Sequence, residues 1–370
     1  MADVASTYDV IIVGGGVAGL SAAALLAPHM RVLLLEREAL LASHASGVNA
    51  AIHRPLEHDA HSAQLARRSR ELLRELCGEA VIDSSGLLLV SREQDAIAEL
   101  VRTAEAEQLA NHALTSRELN QRVPALAGGE IAHGIFLRDG GVIDLHLLIT
   151  SLAARARERG AVLRVSSEVA EIERTPDGHS VVGVRLSSAE RICAAQVVIA
   201  AGAWSAGLAS ALGLDTPLTP LRRHLVQLRA ATPLVQAQPV LWRLEDEVYF
   251  RPESGGILAS PCDELAWPAQ TPPSDPAALQ LLAQKLERTA PLLAHAQVQR
   301  AWACLRTFAP DRELVIGSDP RLQGLHWLCG LGGRGMSVAP AAAELLMQQI
   351  TRANVETGNT RFNVERFFRT

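Results

Sequence analysis

The sequence predicts an α/β chain, α+β overall, in which a Rossmann-type domain is interleaved with a second domain built on a mixed sheet. Three observations carry that prediction. Residues 8–36 read as strand, glycine turn, helix and second strand. Glycine turns that enter helices recur at 200–205 and 330–335. Segments of this kind, at 8–36, 161–205 and 301–350, are separated by two inserts of mixed helical and strand pattern, at 53–134 and 218–300. The implied division is 1–52, 135–217 and 301–370 for the Rossmann-type domain and 53–134 with 218–300 for the other. Chemistry is expected between the two.

Each element has a local reason. Tyr8-Asp-Val-Ile-Ile-Val13 is a β-branched apolar run, and Gly14-Gly-Gly-Val-Ala-Gly19 turns it into an Ala- and Leu-rich helix. Gly14 permits the tight turn, Gly16 lets the backbone approach a pyrophosphate at the helix N-terminus, and Gly19 lets helix and strand pack closely. Arg31-Val-Leu-Leu-Leu-Glu36 is the second strand, closed by an acid about 20 residues beyond the turn that can accept hydrogen bonds from a ribose. Strand, turn, helix and terminal acid in that order define a dinucleotide site.

Residues 37–57 form a polar, small-residue connection able to lie along a bound cofactor. Apolar residues at 65, 72, 73 and 76 predict a helix over 59–77, and residues 86–91 and 96–108 read as a strand and a helix. Thr115 and Glu118 have capping-box spacing for a helix stopped by Pro124. The turn at 139–144 starts an amphipathic helix over 144–159 that returns the chain to the first domain. Strand-like runs follow at 161–165, 168–174, 181–186 and 195–200. In the second insert, strand patterns at 224–228, 247–251 and 256–260 accompany a helix with Asp275 as its cap and Pro276 at the first helical position. The final return runs through 301–317 and the loop Trp327-Leu-Cys-Gly-Leu-Gly-Gly-Arg-Gly335 into a helix over 340–350.

Composition narrows the class. With 370 residues, 48% hydrophobic and 20% charged, the chain can bury two real cores. A formal net charge of −5, without a basic block, argues against a nucleic-acid partner. No apolar run reaches the roughly 20 residues that span a bilayer, and the first strand begins too early for a signal peptide. A cytoplasmic protein is therefore expected. The cysteines at 77, 193, 262, 304 and 329 form no C-x-x-C pair and sit in core-like runs, so free thiols and no metal site are expected. Positive charge is nearly all arginine, with Lys285 the one lysine, so a single arginine is weak evidence by itself.

Three separated motifs resemble one family. They are Tyr8–Gly19 with Glu36, Val197-Val-Ile-Ala-Ala-Gly-Ala-Trp-Ser205, and Leu305-Arg-Thr-Phe-Ala-Pro-Asp311 followed by Val315-Ile-Gly317 and Gly330-x-Gly-Gly-x-Gly335. Together they resemble the FAD-dependent D-amino-acid oxidase superfamily, in the branch of glycine oxidase, sarcosine oxidase and bacterial D-amino-acid dehydrogenases, with D-arginine dehydrogenase-like proteins most similar. The resemblance implies that Gly14, Gly16, Val17, Ala18, Gly19, Glu36 and Arg37 hold the ADP half of FAD. It implies that His44, Ala45, Ser46 and Gly47 follow the pyrophosphate, that Val169 meets the adenine, and that Ala201, Gly202 and Trp204 lie near the ribityl chain. Gly330, Gly332, Gly333, Arg334, Gly335 and Met336 match the junction beside the flavin ring, where a helix N-terminus favours negative charge on the reduced ring.

For substrate, the family clamps an amino-acid carboxylate at the position of Arg306, because a planar guanidinium meets a carboxylate through two parallel hydrogen bonds. Tyr249 and one of Arg222 or Arg223 match further carboxylate contacts, the other arginine facing solvent. The implied reaction oxidises the Cα–N bond of a small amino or imino acid, D-amino acids favoured, by hydride transfer to flavin N5. The imine then hydrolyses to a 2-oxo acid. Each assignment has a plainer alternative: Arg306 as a structural tie, Tyr249 as sheet packing, and His44 and His53 as structural groups rather than site residues.

Several departures leave questions open. Relatives that prefer basic side chains carry an acid in the strand matching Ser85-Gly86-Leu87, and this chain has none. Arg334 and Arg54 would suit a substrate with an extra anionic group if both point inward, and are surface arginines otherwise. Cys304 stands where sarcosine oxidases attach flavin covalently, whereas most of the branch binds it non-covalently. The electron acceptor is open between a quinone or other carrier and O2. Lys285, expected on a surface helix, favours a dehydrogenase, since sarcosine oxidases use a lysine near the flavin. The alternatives to amine oxidation are a 2-hydroxy-acid oxidising flavoenzyme and a flavoprotein subunit or tailoring enzyme that acts only with a partner.

Overall fold

A computed structural model describes residues 8–56, 60–230, 238–351 and 360–368. Asp59, the expected first residue of a helix, lies outside them; the helix is described from Ala60 to Cys77. The first sheet runs Val315–Ser318, Leu325–Cys329, Arg191–Ile199, Tyr8–Val13, Val32–Leu35, Val162–Arg164. Its strands are parallel except for the first pair. Both faces are covered, which is why strands such as Val32–Leu35 are apolar at every position. On one face helices Val17–Leu26, Ala60–Cys77, Leu145–Glu158 and Gly335–Thr351 pack against Val10, Ile12, Leu34 and Val198. On the other, Ile11, Val13, Leu33 and Leu35 meet an antiparallel ribbon, Val169–Arg174 with Val181–Leu186, through Ile172 and Val184.

The second sheet runs Leu265–Ala266, Thr219–Leu228, Gly256–Ser260, Val248–Glu253, Val240–Arg243, Leu87–Ser91, His133–Leu137, Asn111–Thr115. Strand Val298–Phe308 lies along the opposite edge of Thr219–Leu228. Side chains alternate between faces with period two. One face buries Val90, Val226, Leu241 and Phe250 beneath Leu282, Leu286 and Leu119 of the covering helices. The other presents Arg306, Cys304, Arg223, Tyr249 and Trp242 toward the first domain. The chain crosses between domains through a short antiparallel ribbon, Ile52–His53 with Gly141–Val142.

Helix starts follow the expected caps. Thr115 and Glu118 make a reciprocal capping box, the Asp144 side chain accepts from Leu147 N–H at 2.9 Å, and that of Asp275 accepts from Ala277 N–H at 2.9 Å. The last helix begins at Gly335 rather than 340. Pro340 therefore sits inside it, and the Ala341 N–H next to it donates to Ser69 Oγ at 3.0 Å from the neighbouring helix.

Other expectations need correction. The expected cuts at 135 and 301 fall inside strands of the second sheet, because residues 133–137 and 298–308 spend their hydrogen bonds there. Strands Asn111–Thr115, His133–Leu137 and Val240–Arg243 had no clear pattern in the sequence. The cysteines are free, but Cys193 is exposed and Cys77 half-buried rather than core. Lys285 is half-buried, its Nζ donating to the Pro261 carbonyl at 2.6 Å. Among the described residues no helix is long and apolar enough to cross a membrane, and no cluster of metal-ligating side chains is present.

Candidate active site

A cavity of about 740 Å³ runs from the first glycine turn, between the domains, to the inner face of the second sheet. At its start Gly14 takes φ +114°, and a Cβ there would lie 2.5 Å from the Ala200 carbonyl oxygen. Helix Val17–Leu26 opens behind Gly16 without a side-chain cap on that residue, and Ser46 Oγ accepts one first-turn N–H, from Val17, at 3.0 Å. The remaining first-turn donors and the helix dipole favour an anion there. Gly19 and Gly47 stand behind the wall rather than in it: a Cβ on Gly19 would lie 1.9 Å from the Gly14 oxygen, and one on Gly47 2.3 Å from the Ala42 oxygen.

Glu36 is buried at the next position along the wall. Its carboxylate accepts from Gly15 N–H at 2.7 Å and Glu38 N–H at 2.9 Å, which fixes the side chain at the cavity edge near Val169. Arg37 lies 3.9 Å over the Trp204 ring and within 3.1 Å of His44 Nε2. His44 packs on Trp204 with centroids 4.5 Å apart and meets Glu38 at 2.8 Å, contacts that hold Glu38 well below the usual carboxylate range. The imidazole is thus a fixed part of the wall. Ala45, Ala201 and Gly202 complete this stretch with Val17 and Ala18.

At the far end Gly330, Gly332, Gly333, Gly335 and Met336 line the cavity opposite the second sheet. Glycine is required at Gly332, where φ is +53° and a Cβ would lie 2.4 Å from the Phe308 ring; a Cβ on Gly333 would lie 3.3 Å from Arg223 Nη1. Arg306 is buried, lines the cavity and has no ion-pair partner among the described residues; its Nη1 donates to the Leu305 carbonyl at 3.3 Å. Arg223 pairs with Glu264 at 2.5 Å. Burial pushes the Tyr249 phenol up to about 12, against the opposing pull of Arg306 and Arg223, so it remains a hydrogen-bond donor at neutral pH. Cys304 lines the same wall, its Sγ 3.7 Å from the Arg223 carbonyl oxygen.

Three expected site residues point elsewhere. Arg222 faces the opposite side of its strand, 2.6 Å from Asp275 and 4.5 Å over Trp267; it is buried, as is Arg223, so neither faces solvent. His53 is fully buried behind the wall, its ring nitrogens unpartnered, and burial, then Arg70 and Arg74, push its pKa down to about 3. Arg334 turns outward to Ser62 Oγ at 2.9 Å and the Arg312 carbonyl at 2.8 Å. Arg54 does line the cavity, 4.8 Å over Trp242. Trp242 and Trp302 are wall residues the sequence reading missed. For Trp302 the signal was available, since period-two alternation puts residues 302, 304 and 306 on one face.

A glycine-turn cradle at one end and the inner face of the second sheet at the other thus frame one elongated cavity. The chain belongs to the DAO family, FAD dependent oxidoreductase, whose sequence profile matches residues 9–349. Its cofactor is FAD, and the small-residue cradle at both ends of the cavity fits that extended molecule. The chain is 26% identical over 360 residues to the glycine oxidase of Geobacillus kaustophilus, covering 93% of each chain. It is 26% identical to the peroxisomal sarcosine oxidase of Homo sapiens, covering 97% and 96% of the two chains. Among solved structures, L-proline dehydrogenase from P. horikoshii superposes with a TM-score of 0.88 at 21% identity over 99% of each chain. The glycine oxidase structure from Geobacillus kaustophilus gives 0.80 at 24% identity over 97% and 98%. These two structural matches establish the shared fold.

Proposed function

We propose that this chain oxidises the Cα–N bond of a small amino or imino acid to an imine, which water hydrolyses to the 2-oxo acid. The observation that carries this reading is Arg306, a buried guanidinium facing the cavity without an ion-pair partner among the described residues. A buried cation in that state calls for an anion, and a carboxylate matches its two parallel donors. FAD supplies the two-electron acceptor when bound. Arg306 holds the substrate carboxylate, Tyr249 donates a further hydrogen bond to it, and Trp242 with Ala50 and Ile52 keeps water from the reacting carbon. Relatives named glycine oxidase and sarcosine oxidase support a small amine, and D-amino acids are the first class to screen.

The acceptor we assign is a carrier other than O2. Lys285, the only lysine of the chain, lies outside the cavity wall, so no lysine ammonium faces the flavin site to activate oxygen. Reduction of an artificial dye much faster than oxygen consumption is the expected result, and the reverse order overturns it. For the substrate, Arg306→Ala removes a desolvated charge pair worth at least about 2 kcal/mol, so KM for the best amino acid rises roughly 30-fold or more with FAD content unchanged. An unchanged KM across a panel of amino acids refutes the clamp.

A further inference from the structure

One stretch of the cavity wall is a single layer of chain. Ala269, Gln270, Thr271, Pro272 and Ser274 line the cavity, whereas Pro273 among them is exposed and does not, so the stretch has one side toward the cavity and one toward solvent. Only Pro272 is buried. No described residue outside the stretch hydrogen-bonds to residues 268–274, whose one bond runs within it, from Gln270 N–H to the Pro268 carbonyl at 2.7 Å. Pro268, Pro272 and Pro273 have no N–H to offer.

The flanks of this stretch, by contrast, are gripped by three consecutive residues of strand Thr219–Leu228. Arg222 pairs with Asp275 at 2.6 Å and stacks 4.5 Å over Trp267, and Arg223 pairs with Glu264 at 2.5 Å. His224, fully buried, binds on both sides of it. The Asp275 N–H donates to His224 Nε2 at 2.9 Å, which makes that nitrogen the acceptor, so Nδ1 carries the proton and donates to Asp263 at 2.7 Å. The Trp267 N–H donates to the Pro220 carbonyl at 3.0 Å. Pro220 and His224 lie on one strand, about 13 Å apart along it, whereas the chain from Trp267 to Asp275 can reach about 26 Å. The segment therefore has slack between fixed ends.

We propose that segment 267–274 is a gate of the cavity and that His224 is its positioning residue, tying both flanks of the gate to one strand. Lifting residues 268–274 breaks no hydrogen bond to the rest of the protein and uncovers one buried proline, so the opening belongs to the low-cost local motions. The anchors return the segment to one closed position. This goes beyond the reaction assigned above and does not depend on which ligand the cavity takes.

The test uses the FAD-loaded enzyme and needs no substrate. In the wild type, hydrogen exchange read by mass spectrometry finds the amides of residues 269–271 and 274 exchanging at least about tenfold faster than those of Trp267 and Asp275. Equal protection from 267 to 275 overturns the gate. Iodide quenching of flavin fluorescence at fixed ionic strength reads access to the cavity. His224→Phe keeps a ring but removes both bonds, and the quenching constant rises about fivefold, the factor one net hydrogen bond is worth. His224→Gln carries an amide donor and acceptor spaced much like the two ring nitrogens, and stays within about twofold of the wild type. Arg222→Gln falls between the two; it removes a cation, so weaker attraction of iodide works against the rise. Quenching unchanged in His224→Phe and Arg222→Gln overturns the proposal, as does an equal rise in His224→Phe and His224→Gln. FAD content checks the fold of each variant, and if His224→Phe loses its flavin, Arg222→Gln and the wild-type exchange decide. Turnover enters none of these readouts, so a failure of amine oxidation leaves the gate standing, and a failure of the gate leaves amine oxidation standing.

Discussion

Replacing Gly19 with Ala places a methyl carbon 1.9 Å from the Gly14 carbonyl oxygen. Carbon and oxygen sit comfortably at about 3.4 Å, so helix and turn must separate by about 1.5 Å. The turn has no room to retreat, since a Cβ at Gly14 would already meet the Ala200 oxygen at 2.5 Å. The helix must move instead, although all ten of its residues are buried. Overpacking of this kind costs about 1–3 kcal/mol, and a backbone obstacle puts Gly19→Ala at the upper end, a fall of roughly 4 °C in apparent Tm for a chain of this length. The displaced turn also lines the cavity through Gly14 and Gly16, so FAD content is expected to fall with stability. Gly15→Ala is the matched comparison. Its new Cβ meets side-chain atoms, Leu41 Cδ2 at 2.7 Å and Glu36 Cβ at 3.0 Å, which can give way, and the cost is about 1 kcal/mol. Thermal scans by circular dichroism and the flavin-to-protein absorbance ratio after gel filtration read both effects. Wild-type Tm and FAD content in Gly19→Ala, or a larger loss in Gly15→Ala, refutes the reasoning.

Three further outcomes follow from the same geometry. His53, with its pKa pushed down to about 3, stays neutral in the fold while the unfolded chain takes up a proton below its ordinary value of 6.5, so its contribution is complete above that value and is lost as pH falls toward 3. His53→Leu removes two unpartnered buried nitrogens, so denaturant unfolding shows equal or higher stability at pH 7 and a shallower decline between pH 6 and 4; a steeper decline refutes this. Thr115→Ala deletes the capping box on an exposed helix start and lowers unfolding free energy by about 1 kcal/mol, with FAD content unchanged; loss of flavin in that variant would contradict the placement. Acid precipitation is expected to leave all yellow colour in the supernatant, since the buried Cys304 thiol is directed at the Arg223 carbonyl oxygen, 3.7 Å away. Colour in the pellet, removed by Cys304→Ser, refutes that assignment.

What the sequence revealed was local. The glycine turn, the Glu36 terminus, the Thr115 capping box and the Asp144 and Asp275 caps each depend on a few neighbouring residues, and each stands where the chain places it. Register was not legible in the same way. Arg222 and Arg223 differ by one position, and that single step sends one to Asp275 and the other into the cavity. Strand Val298–Phe308 joins the second sheet because its partner is Thr219–Leu228, about 80 residues earlier, which no local pattern encodes. Arg334 and Arg54 both sat near the expected flavin, but Ser62 and the Arg312 carbonyl draw the first outward. Orientation there depends on partners far apart in the chain.

The interleaving also dictates how the molecule must be made. Strand Tyr8–Val13 leaves the ribosome well before Arg191–Ile199, one of its two neighbours, and that strand in turn awaits Leu325–Cys329. Helix Val17–Leu26 is covered by Gly335–Thr351, which is synthesised long after it. Until those segments emerge, the nascent chain therefore carries an apolar helix and an unpaired strand edge that nothing local can bury. The interleaving that lets two sheets face one cavity makes the nascent chain dependent on delayed folding or on chaperone cover until helix Gly335–Thr351 arrives.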